Sequence, residues 1–372
     1  MKIPILAFTT AWLFAGAAIL ADDPPFRVVG AEPISELDEK FLPNSGWVGA
    51  DGNYSIRWDA NRVLWFYSDT WIGEIEKQKR VGSVLINNSV GVQTAADSKI
   101  TVDFHWRKSP GEKPRALIVP EDGTGWYWLF AGTRVGDRLQ LFLWQMVKTN
   151  DPGAFGFKNH NVALAEVANP ADAPEQWRIT QRPVPATIIS PEHRIMFGSA
   201  ILKREEQIYI YGVEERPGQR RGMVVARVAE SEMADFTQWQ FWTGEKWSAN
   251  FAEIRSVVPG VASEYSVTWV PALERFVLTT NGEILSPKIL ARTAPEPWGP
   301  WSETVTLFEC PEAAWGNGIF CYAGKAHASL MTTTSPPGEL ILTYASNGHN
   351  LSTVLNDTRL YRPRFVRVKL AR

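Results

Sequence analysis

The sequence predicts an all-β protein, a five-bladed β-propeller with four-stranded antiparallel blades, and three observations predict it. The first is a repeat. Apolar, β-branched runs at residues 162–167, 224–228 and 289–293 each lead through a turn to a tryptophan, and Trp177, Trp239 and Trp301 stand at an equal step of 62 residues. Self-similarity at a fixed period is the signature of units that bury their faces only against each other. The second is a series of hairpin patterns, described next. The third is composition: 28 Gly and 25 Pro punctuate 372 residues, and no long stretch carries a helical apolar period. A two-sheet sandwich is the structural rival, and the even step argues against it.

In chain order, hairpins are expected at residues 54–58 with 63–67, 115–119 with 126–130, 200–202 with 208–212, 265–270 with 276–279, and 328–331 with 339–344. Each is a pair of β-branched and aromatic runs bounded by Gly, Pro, Asn or charged turn residues. A third strand and usually a Trp-bearing fourth complete each sheet, and radial repetition of four-stranded sheets makes a propeller. The last sheet lacks an outer strand, because the chain ends after Phe365-Val366-Arg367-Val368-Lys369. Phe26-Arg27-Val28-Val29 is expected to supply it and close the ring.

Lys+Arg total 38 against 40 Asp+Glu with no block of like charge, so the basic field of a nucleic-acid binder is absent. Two cysteines leave no Cys-rich zinc site or iron–sulfur centre. Gly-x-Ser-x-Gly, a phosphate-binding glycine loop and His-Glu-x-x-His are all missing, and the five histidines are scattered. No cofactor is expected, although a structural calcium held by carboxylates and carbonyls would be compatible with the chain. Lys2, the apolar run 3–20 and the small residues before Ala21 read as a signal peptide over residues 1–21. The remainder, 22–372, is then one exported domain, secreted or periplasmic, monomeric and off the membrane after cleavage. Export permits a disulfide, and Cys310 and Cys321 are its candidates, closing a loop over 311–320.

Propellers bind ligands where their innermost strands begin, so polar residues at those starts are the candidates. If the first hairpin turns near residue 60, cross-strand partners sum to 120, and Asp51 faces Asp69 with Cβ atoms about 4.5–5.5 Å apart. Two carboxyls that close separate in pKa, leaving one protonated and one ionised, as acid/base cleavage of a glycosidic bond requires. Capping of turns is the alternative role for both. Glu264 takes the equivalent place in the fourth hairpin, and Lys325 and His327 in the fifth. Glu192, His193 and Glu214 lie at the third, and Asn88 follows an apolar strand in the first. Trp47 and Trp71 are expected to hold sugar rings.

Gly49-Ala50-Asp51-Gly52 with Leu64-Trp65-Phe66-Tyr67-Ser68-Asp69-Thr70 resembles the opening blade of a secreted five-bladed propeller family long described as a domain of unknown function. Ser263-Glu264-Tyr265-Ser266, Gly299-Pro300-Trp301-Ser302 and the segment Cys321 to His327 are similar to its later blades. The likeness spans most of the chain after the leader. Some members are endo-D-arabinanases, and the architecture is shared with glycoside hydrolase family 43. The resemblance therefore implies a glycosidase acting on a furanose-containing or related polysaccharide, with Asp51 as base or nucleophile and Asp69 or Glu264 as proton donor. The usual Phe-Gly-Asp-Thr reads Tyr-Ser-Asp-Thr here, which keeps the carboxylate and changes its neighbours. A non-catalytic carbohydrate-binding propeller is the second reading, and a protein-interaction propeller the third.

Overall fold

The computed structural model describes residues 25–96, 99–151, 156–282, 286–316 and 318–372, so the expected leader lies outside the described residues. Antiparallel sheets follow one another along the chain. The first joins Tyr54–Arg57, Arg62–Tyr67, Ser89–Ala96 and Lys99–His105, and the second Trp126–Val135, Arg138–Lys148, Phe157–Val167 and Ile179–Pro183. The third is built on Arg194–Arg204, Gln207–Glu215, Gly222–Ala229 and Gln240–Trp242, with three two-residue strands at its margins. The fourth joins Tyr265–Val270, Arg275–Asn281, Lys288–Ala294 and Val305–Glu309. In the fifth, Ile319–Ala326, Glu339–Gly348 and Arg364–Ala371 are completed by the N-terminal strand Arg27–Pro33, which pairs with Arg364–Ala371 as expected.

The leading strands lie side by side in order: Tyr54–Arg57 against Trp126–Val135, then Arg194–Arg204, Tyr265–Val270 and Ile319–Ala326. The turn Ala328–Leu330 returns to Tyr54–Arg57. Between neighbouring sheets lies an aromatic and aliphatic core that includes Phe142, Phe197, Tyr211, Trp239 and Tyr265, all fully buried. Trp177, Trp239 and Trp301 each precede the outer strand of their sheet. Their equal spacing thus marks equivalent places, and the indoles of Trp177 and Trp239 tie down the preceding turns through Asp172 O and Met233 O.

Three expectations are corrected. Residues 115–119 do not pair with 126–130. Trp126–Val135 pairs instead with Arg138–Lys148 across a tight turn where Gly136 takes φ +59°, and Pro114–Arg115 pairs with Arg107–Lys108. The Gly-rich stretch 121–125 resembles a hairpin loop but only leads into the sheet. Residues 328–330 form a 3₁₀ turn, and the fifth sheet leads with Ile319–Ala326. Residues 84–86 belong to a separate three-stranded sheet, Ser45–Ala50 with Thr70–Glu76 and Lys79–Ile86, which extends the first hairpin outward.

Cys310 and Cys321 are brought into one buried cluster, but as free thiols, so the expected disulfide is not formed. The neighbouring Cys321 thiol, with burial, pushes the Cys310 thiol far above its ordinary value.

Candidate active site

Asp51 and Asp69 sit where the first hairpin passes from its own sheet into the three-stranded one. Tyr54 pairs with Phe66 and Ser55 with Trp65 below, and Ala50 with Thr70 above, so partners sum to 120 on both sides. The peptide groups complete the register: Asp51 N–H donates to Asp69 O at 3.3 Å and Ser68 N–H to Asp51 O at 3.0 Å. The two carboxyls are therefore neighbours, as the turn position predicts.

Their hydrogen bonds differ. Oδ2 of Asp51 accepts from the phenols of Tyr322 at 2.7 Å and Tyr361 at 3.1 Å. Its Oδ1 is sealed from solvent and has no hydrogen-bond partner among the described residues. Oδ1 of Asp69 accepts from the Asn87 amide at 3.1 Å and the Trp128 indole at 3.0 Å. Across the ring, Glu264 pairs with Lys325 at 3.3 Å, and the fully buried Lys325 ammonium also donates to Gly52 O at 2.5 Å and Ala323 O at 2.8 Å. It stands over the Tyr54 ring at 4.6 Å.

Three carboxyls and one ammonium share little water here, and like charges repel. Burial, then the charges of Asp69 and Glu264, hold the Asp51 carboxyl well above the usual carboxylate range, against the pull of its two phenols. Burial raises Asp69 to about 6, against its amide and indole donors. Burial raises Glu264 too, opposed by Lys325, and lowers Lys325, opposed by Glu264.

Backbone detail delivers the partners. The strand Ile319–Ala326 carries a one-residue bulge between Tyr322 and Lys325, with Ala323 at φ +60°. An extra residue in one strand re-aims the side chains on either side of it. Tyr361 is held by a clamp: the buried Arg80 guanidinium donates to Val48 O at 2.8 Å, Val354 O at 2.6 Å and Leu360 O at 2.7 Å. Gly49, at φ +145°, permits this closeness, because a Cβ there would stand 2.4 Å from Tyr361 O and 2.6 Å from an Arg80 nitrogen.

The other candidates fall elsewhere. His327 is buried with both ring nitrogens engaged, Nδ1 with Ser55 Oγ and Nε2 with Thr343 Oγ1, each at 2.6 Å. It is a scaffold residue, displaced because the fifth sheet leads with residues 319–326 and His327 follows its end. Asn88 is fully buried and spends its amide on Ile118 N, Ile118 O and Tyr127 O. Its neighbour Asn87 reaches Asp69, the one-residue difference that strand alternation makes decisive. Trp47 is buried and stacked on Phe104 at 4.3 Å, and Trp71 is buried beside Val48, Val354 and Tyr361, so neither presents a face to a sugar. Lys325 reaches the site as the partner of Glu264 and of the Gly52 and Ala323 carbonyls. Glu192 is exposed. His193 Nε2 meets Glu214 Oε1 at 2.9 Å in a separate cleft of about 480 Å³. Tyr322, Tyr361 and Trp128 were missed; a phenol or indole in a strand or its connection has no pattern that separates it from core. Among the described residues no group of three or more His, Cys, Asp or Glu side chains is arranged to hold a metal ion.

A family model described as a domain of unknown function (DUF5005) matches residues 35–370. The chain belongs to the DUF5005 family. No curated protein matches it. Among solved structures, a protein from Bacteroides ovatus ATCC 8483 described as a "putative hydrolase" superposes with a TM-score of 0.72 at 19% identity, over 91% of this chain and 90% of that one. What the two share at that identity is the fold. The catalytic domain of a GH62 α-L-arabinofuranosidase from Coprinopsis cinerea is more distant, with a TM-score of 0.46, 11% identity and coverage of 93% and 98%. So is an α-L-arabinofuranosidase from Lactobacillus brevis, with a TM-score of 0.48, 12% identity and coverage of 89% and 93%.

Proposed function

We propose that this DUF5005 protein is an exported five-bladed propeller that hydrolyses glycosidic bonds in a furanose-containing or related polysaccharide, with Asp51 and Asp69 as its acid/base pair. The observation that carries the proposal is the unpaired Oδ1 of Asp51. A buried polar atom without a partner costs about 1–3 kcal/mol and calls for a reason, of which catalysis is one. Two phenols already donate to Oδ2, so the proton of the neutral acid belongs on Oδ1, as a donor awaiting an acceptor. A glycosidic oxygen is such an acceptor once the carboxyl turns this atom toward a bound substrate. Asp69, ionised above about pH 6, spends only Oδ1 on Asn87 and Trp128. Its Oδ2 is left to take a proton from water or to attack the anomeric carbon. Glu264, paired with Lys325, adds the negative charge that keeps Asp51 protonated. These roles reverse the sequence-based expectation, in which Asp51 was base or nucleophile.

The test is release of reducing sugar from a panel of arabinans, arabinogalactans and xylans by the wild type, Asp51→Asn and Asp69→Asn. Cleavage of at least one glycan that falls by about 10²–10⁴-fold in each variant supports the reading. Glycan binding with no cleavage by the wild type leaves the non-catalytic carbohydrate-binding alternative, and cleavage retained by both variants removes the pair from the chemistry.

A further inference from the structure

A cavity of about 250 Å³ opens beside the carboxyl pair, between the second and third sheets. Its lining includes Trp128, whose indole N–H is the one given to Asp69, and Ser263, the residue before Glu264. Trp128 is therefore shared between this cavity and the proposed point of cleavage. Trp128 is only partly buried, and Phe157 packs on it edge to face at 4.9 Å, which fixes the plane of its ring. Such an aromatic wall suits the apolar face of a sugar.

The far wall is charged. Arg194 and Glu215 are register partners at the open end of the third sheet's hairpin, joined Nη1 to Oε2 at 3.0 Å. Arg221 Nε meets the other oxygen of Glu215 at 2.6 Å. Lys158 enters from the second sheet, exposed and with no acceptor among the described residues. The lining thus carries three cations and one carboxylate. That carboxylate takes one nitrogen from each arginine, so Nη2 of Arg194 and both Nη atoms of Arg221 have no acceptor among the described residues. Guanidinium groups with open edges match planar or tetrahedral oxyanions, and a neutral sugar would leave them unmatched.

We infer that this cavity is a subsite for a sugar unit bearing an anionic substituent, a carboxylate or a sulfate ester, held by Arg194, Arg221 and Lys158 with its ring against Trp128. The inference deepens the glycosidase reading and rests on it for the direction of the chain, but binding alone tests it. Methyl β-D-glucuronide, methyl β-D-glucoside and glucose 6-sulfate are titrated into the purified chain, with saturation-transfer NMR as the readout. The expected result is that at least one anionic ligand binds about tenfold or more tightly than the glucoside, and that the preference shrinks with added salt. Lys158→Gln, which breaks no side-chain hydrogen bond or ion pair among the described residues, removes most of the preference, and Arg194→Gln removes more. Whether the glucuronide or the sulfate wins identifies the source of the anion. Equal affinity for all three ligands, or a preference unchanged in Lys158→Gln and Arg194→Gln, overturns the inference. Asp69→Asn keeps the preference while losing cleavage, so failure of the hydrolase reading and failure of the subsite are seen separately.

Discussion

The opening hairpin of the first sheet and the leading strand of the fifth meet at the seam of the ring, and they use polar residues in opposite ways. Asp51 and Asp69 are each given two donors and each keeps one oxygen unspent. His327, a few residues beyond Tyr322, has both nitrogens matched by hydroxyls 2.6 Å away and a tryptophan ring at 5.0 Å. Both sets are shielded from water and both are polar. The difference is spare bonding capacity. A fully matched buried group fixes the scaffold, whereas a group left short in a charged cluster is available to something that arrives later.

The sharpest way to break that contrast is to neutralise each set in turn. Asp51→Asn or Asp69→Asn should lower kcat by about 10²–10⁴-fold with the fold intact by circular dichroism. His327→Ala should leave kcat of the folded protein unchanged and cost about 1–3 kcal/mol in urea unfolding, because Ser55 and Thr343 lose their partner. If His327→Ala abolished turnover without loss of stability, the two sets would not differ as described.

Stability against pH sharpens the comparison further. The Asp69 carboxyl is raised from its ordinary 3.8 to about 6, so between those values the folded state holds a proton that the unfolded chain has released. Stability contributed by this group therefore falls as pH rises from about 4 to about 6 and is not recovered above. Asp69→Asn cannot ionise, and at about pH 8 it should exceed the wild type by roughly 1–3 kcal/mol, an advantage that vanishes near pH 4. Paired denaturation curves at the two pH values measure it, and a pH-independent difference would contradict the burial of an ionisable carboxyl. The smallest effect is expected from Tyr322→Phe. Its phenol pulls the Asp51 pKa down, so its loss should move the alkaline limb of the rate profile to higher pH. A shift of the limb to lower pH would show that Asp51 does not carry the proton.

What could be read from the chain follows from the range of the interactions. The paired carboxyls were legible because one short turn sets the register of everything on both its strands, and period-two alternation does the rest. The equal spacing of Trp177, Trp239 and Trp301 was legible because each performs the same local task. The partners of Asp51 were not, since Tyr322 and Tyr361 come from 271 and 310 residues away and meet it only when the ring closes. The fifth sheet was misplaced because its leading strand carries a bulge, which breaks the alternation by which strands are recognised. Which of Asn87 and Asn88 faces the site was not legible for a related reason: the apolar run before them belongs to the separate three-stranded sheet, not to the sheet of the first hairpin.

Arg27–Pro33 is the outermost strand of a sheet whose other three strands are the last of the chain. The toroid is thus fastened by a clasp made from the two ends of one polypeptide. A protease nick or a fusion partner placed inside those seven residues would loosen the sheet that supplies Tyr322 and Lys325. Damage at the outer rim would then reach the pore as a misplaced phenol, and expression designs gain by leaving this stretch untouched.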